Sequence, residues 1–86
     1  MAEEQNELLQ RLTTRFIELG NALKEEGESK EVVSAAMMSA SAFYATYAIA
    51  GNDGVLSDKG LEKVIEAYGG TLMRVQDYKR TAESES

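Results

Sequence analysis

Apolar residues recur at helical spacing from the start of the chain. Leu9, Leu12, Phe16, Leu19 and Leu23 step by three and four residues, which gathers them on one face of an α-helix. The pattern predicts a first helix over about residues 4–26. Glu3, Glu4 and Glu7 fall in or near its first turn, where the positive end of the helix dipole favours acids. Glu7 and Arg11 are four apart in the stabilising order, and Gly27 is the predicted C′ residue. Leu8 and Ile17 lie beside the seam and widen the apolar face.

The pattern then changes character. A second helix is predicted over 30–50, with Ser29 as N-cap, Glu31 in the first turn and Gly51 as its stop. No residue from Val32 to Asn52 carries a charge. A helix uncharged all round is usually buried on several sides, and that is the expectation here. Ala36 and Ala40 are small residues four apart, which lets a neighbouring helix approach closely. Met37, Phe43, Tyr44 and Tyr47 supply larger contacts. The run is long enough to span a bilayer. It is built on Ala, Ser and Thr, however, and has no excess of Lys and Arg on one flank, so no membrane is expected.

Gly51-Asn52-Asp53-Gly54 is a turn cluster. Ser57 is the predicted N-cap of a third helix over 58–80, with Leu56 and Leu61 in the positions of a hydrophobic staple. Leu61, Ile65, Tyr68, Leu72 and Val75 step by four, three, four and three, the spacing of a heptad seam. Gly69-Gly70 lowers helix propensity by roughly 1.5–2 kcal/mol against alanine but keeps the register. A continuous helix is expected, with a break at the glycines as the alternative. The predicted fold is all-α, a helical hairpin plus a third helix in one domain over 1–80, assembling as a dimeric bundle. Residues 81–86 are predicted to be a polar, frayed tail.

Composition sharpens the case for self-association. A chain of 86 residues buries only roughly 60–65% of its unfolded surface, so small domains usually need reinforcement. There is no Cys and no His, which removes disulfides, zinc and haem ligation together. A second copy is the remaining route. The net charge of −6 leaves no basic stripe for a phosphate backbone, so no nucleic acid is expected. The acidic start, Met-Ala-Glu-Glu, lacks the basic region of a signal peptide, and the absence of Cys fits a reducing cytoplasm. Cytoplasmic localisation is the expectation.

Candidate chemistry is sparse. Placing Gly54 at the sixth position of a calcium loop puts Ile49, Gly51 and Gly60 where acidic ligands are needed. A nucleophilic triad lacks its His, and Lys59 follows Ser57 too closely for a Ser-x-x-Lys pair. No catalytic, cofactor-binding or metal-binding residue is assigned, and the protein is not expected to be an enzyme. The candidate interface or core is the apolar set above: Phe16, Leu19, Ala36, Met37, Ala40, Phe43, Tyr44, Tyr47, Leu61, Ile65, Tyr68, Leu72 and Val75. Self-association through it is the leading functional reading, and a different protein is a possible partner. One alternative is an acidic decoy for a basic protein surface, using Glu3, Glu4, Glu7, Glu25, Glu26 and Glu28. Another is a carrier for a small apolar ligand held between the helices.

Three stretches carry a family resemblance. Phe16-Ile17-Glu18-Leu19-Gly20-Asn21, the run from Val33-Ser34-Ala35-Ala36-Met37-Met38-Ser39-Ala40 to Phe43-Tyr44, and the later Glu66-Ala67-Tyr68 through Tyr78 resemble a family of small uncharacterised bacterial all-helical proteins. That family tends to have Ala where Gly20 stands and an Ala-Arg-aromatic step where Ser41-Ala42-Phe43 stands. Gly69-Gly70 has no counterpart in its pattern. The resemblance implies a helical fold and no particular chemistry.

Overall fold

Caps, more than apolar pattern, set where each helix begins and ends. The computed structural model describes residues 2–85, with side-chain surroundings for 2–83. Among them are three α-helices, α1 (Ala2–Glu25), α2 (Lys30–Ala50) and α3 (Asp58–Glu85). Met1 of the expected domain and Ser86 of the expected tail lie outside the described residues.

The end of α1 is a Schellman motif. The Glu28 N–H donates to the Leu23 carbonyl at 3.3 Å and the Gly27 N–H to the Lys24 carbonyl at 3.0 Å. Gly27 has φ 113°, open to glycine at little cost. The end of α2 uses the simpler left-handed cap. Gly51, at φ 84°, donates its N–H to the Tyr47 carbonyl at 2.9 Å. The two serine caps are built alike. The Ser29 hydroxyl accepts from the Val32 N–H at 3.1 Å, and the Ser57 hydroxyl accepts from the Gly60 N–H at 3.1 Å.

Two boundaries differ from expectation. The first helix starts at Ala2 rather than about residue 4, which puts Glu3 and Glu4 within its first turn, where the helix dipole favours them. The third passes unbroken through Gly69-Gly70 and continues beyond the predicted end at 80 to Glu85. No glycine or proline interrupts the chain from Thr71 to Glu85. Arg80 also donates to the Asp77 carboxylate at 2.9 Å, and the Thr81 hydroxyl bonds the Asp77 carbonyl at 3.0 Å.

Contacts group residues 1–42 and 43–86 into two units, with the boundary inside α2. The first unit pairs α1 with the beginning of α2. Its closest contact centres on Gly20, which is buried, as is Val33. A Cβ at Gly20 would run into the Met37 methyl and sit 3.4 Å from Val33 Cγ1. The missing side chain is therefore what admits Met37. The second unit holds the rest of α2, the turn and α3. Its turn folds back over the end of α2, so that a Cβ at Gly54 would meet the Ala50 carbonyl and lie 2.8 Å from Ala50 Cβ. Ala45, Thr46 and Ala50 of α2 and Gly60 and Val64 of α3 are half-buried.

The expectation that α2 is buried on several sides is not met. Val33 is its one buried residue among those described. The uncharged run of α2 faces a single neighbouring segment in its first half, so one face is covered and the others are open.

Candidate functional site

The candidate residues divide by helix. Phe16 and Leu19 of α1 are exposed, although Gly20 beside them is buried. The contact with α2 thus runs through the edge of the predicted seam and not its centre. On α2, Val33, Met37, Ala40, Tyr44 and Tyr47 step by four, three, four and three along one stripe. Only the beginning of that stripe is covered. Ala36 and Ala40 are exposed, Met37 sits at the border of the Gly20 contact, and Phe43 is 80% exposed. Tyr44 and Tyr47 meet edge to face with ring centroids 5.6 Å apart. This local pair stiffens the end of the stripe without enclosing it.

On α3, Gly60, Val64, Gly69 and Gly70 are half-buried and the predicted seam is exposed. Leu61, Ile65, Tyr68, Leu72 and Val75 remain between 44% (Val75) and 62% (Ile65) exposed. The two faces adjoin: Val64 lies on the flank of the seam, roughly 40–60° around the axis from Leu61 and Tyr68. The heptad seam is therefore available for a contact that the unit itself does not make.

Sequence reasoning missed the packing roles of Gly20, Val33 and Val64. An isolated glycine amid good helix formers was the available signal for Gly20, since it costs about 1 kcal/mol unless close packing offsets it. Val33 lay unremarked in an uninterrupted apolar run. For Val64 the neighbouring heptad pattern was the stronger signal.

A shallow, open depression on α1 is lined by Glu7, Gln10, Arg11, Thr14 and Arg15, all exposed and all on one helix. Among the described residues, no group of three or more acidic, His or Cys side chains could hold a metal ion. By length and composition alone, α2 is apolar enough to cross a membrane. What the structure presents is an open apolar stripe on each helix: Leu9, Leu12, Phe16 and Leu19 on α1, an uncharged stripe on α2, and one flanked by charges on α3.

No curated protein and no solved structure matches the chain. A family model described as "Protein of unknown function (DUF3144)" matches residues 9–80, in keeping with the resemblance read from Phe16–Asn21 and Val33–Ala40. The chain belongs to the DUF3144 family of proteins of unknown function.

Proposed function

We propose that the protein is a non-catalytic interaction module that works as a homo-oligomer, covering its open stripes with those of a second copy. The observation that carries this reading is the α3 seam, five apolar residues at heptad spacing and all about half exposed. Full burial of such a side chain stabilises by about 1.5–3 kcal/mol, so a half-exposed one leaves about half of that unrealised. Five positions leave roughly 4–7 kcal/mol per chain, and two chains twice as much. The cost of association is of the same size, about 4–15 kcal/mol. The α3 seam alone therefore gives a weak dimer, and recruitment of the uncharged stripe of α2 makes it a firm one.

Protein rather than lipid is the favoured cover for α2. Its stripe is lined with Ala36, Ser39 and Ala40, small residues that suit a closely packed helix, and it contains few of the large aliphatics that lipid tails favour. A salt series in analytical ultracentrifugation, paired with flotation on neutral phospholipid vesicles, tests the proposal. The expected result is an assembly that persists as salt rises and stays at the bottom of the vesicle gradient. Flotation with the vesicles would overturn it in favour of a membrane segment. A complex that forms only with basic proteins and dissolves with salt would favour the acidic-decoy alternative.

A further inference from the structure

The self-association proposed above leaves open which way two copies meet, and α3 carries the information to decide it. We propose that α3 pairs antiparallel with α3 of a second copy, centred on Gly69-Gly70. This inference rests on the self-association reading and makes it specific.

The seam repeats every 3.5 residues on average, the period of a left-handed two-helix pairing. Continuing its steps outward, three residues back from Leu61 and four on from Val75, reaches Asp58 and Lys79. Both are exposed. In a parallel pairing in register, each seam residue faces its own counterpart. Asp58 would then face Asp58, and Lys79 would face Lys79, with like charges closing both ends. An antiparallel pairing sets Ile65 against Val75, Tyr68 against Leu72, and Leu61 against Lys79 of the second copy. The aliphatic stem of Lys79 then covers Leu61, and its ammonium reaches the region of Asp58 and Glu62.

The charge along α3 agrees. Residues 58–69 carry three acids and two bases, while residues 70–80 carry three bases and one acid, followed by Glu83 and Glu85 at the end of the helix. Antiparallel pairing brings the basic segment Arg74–Arg80 of each helix beside the acids Glu62 and Glu66 of the other, and it opposes the two helix dipoles favourably. The glycines also acquire a purpose. In this register Gly69 flanks the seam at the two-fold axis, facing Gly69 of the second copy. Apart from its chain neighbours and the backbone of its own helix, no described atom lies within 4 Å of where its Cβ would be, so no packing inside the chain asks for a glycine there. Two backbones approaching at the axis do.

The chain has no cysteine, so single-cysteine variants report cleanly. Ile65→Cys and Val75→Cys would be oxidised mildly, each alone and mixed in equal amounts, and read on a non-reducing gel beside the light-scattering mass. The expected result is a cross-linked dimer from the mixture and little from either variant alone. Efficient cross-linking of Ile65→Cys by itself would show a parallel pairing and overturn the inference while leaving self-association intact. A dimeric mass with no cross-link in any sample would remove α3 as the interface, again without touching self-association. A mass of one chain at every concentration would instead sink the underlying reading.

Lys79→Glu gives a second readout that needs no cysteine. Antiparallel pairing predicts self-association roughly tenfold weaker at low salt, with the difference shrinking as salt rises. Parallel pairing predicts no loss, because one like-charged pair merely replaces another.

Discussion

Gly20 and Gly69 are both glycines in the middle of a helix, and the structure treats them oppositely. Around Gly20 the neighbouring helix has closed in, with Met37 where a side chain would stand and Val33 buried beside it. Around Gly69 there is open space. A mid-helix glycine costs about 1 kcal/mol against alanine, so each needs a compensating gain. For Gly20 the gain is visible in the α1–α2 contact. For Gly69-Gly70 it is not within the chain, and the exposed seam around them indicates where to look for it. The contrast teaches that one unit accounts for its mid-helix glycine internally and the other does not, although α1 leaves Leu9, Leu12, Phe16 and Leu19 as exposed as the α3 seam.

Substitutions break or sharpen that contrast, the largest on α2 just past the Gly20 contact. Ala40 is exposed in the chain, so a glutamate there should barely alter an isolated monomer. Inside an assembly the same charge is buried without a partner, a cost of about 3–5 kcal/mol. Ala40→Glu is expected to lower the mass to one chain and depress the melting temperature. An unchanged mass and melting temperature would show that this stripe faces solvent in the working protein.

The Gly20 side of the comparison comes next. Gly20→Leu overfills the space held by Met37 and should destabilise by about 1–3 kcal/mol in urea unfolding. Gly20→Ala should be close to neutral, because the end of a flexible methionine can yield while the helix gains about 1 kcal/mol of propensity. A large loss from Gly20→Ala would mean that the contact is more rigid than a methionine side chain allows.

On the other side, a Cβ at Gly70 would meet only the Arg74 guanidinium, at an ordinary 3.7 Å. Gly70→Ala is therefore expected to stabilise α3 by about 1 kcal/mol and to raise helical circular dichroism. Destabilisation by this variant would place Gly70 itself against a neighbour. The smallest effect concerns Asp77, whose ion pair with Arg80 is 71–73% exposed on both partners. Asp77→Ala should change unfolding stability by less than about 0.5 kcal/mol, since such pairs contribute little.

Much of this architecture was legible in the sequence, because the signals that end helices are local. Ser29, Ser57, Gly27 and Gly51 act on backbone groups within a turn of themselves, and the predicted span of α2 matched Lys30–Ala50. Where the caps were silent the reading slipped, at the start of α1 and at the end of α3. Packing was harder to read. The apolar steps from Leu61 to Val75 mark a face that can pair, but not which partner takes it. The contacts within the chain went instead to Val64 and Gly60. Likewise the Gly20–Met37 contact depends on two segments meeting, which periodicity along either one does not specify. The candidate interface was thus readable as a chemical pattern, and its partner was not.

The most direct test of the central claim is the absolute mass in solution, by size-exclusion chromatography with light scattering across a wide concentration range. The account predicts a mass of two chains or more that falls toward one chain only on dilution and holds as salt is raised. A mass of one chain at every concentration would contradict it. The seams of α2 and α3 would then be open in the free protein, for a different molecule to cover.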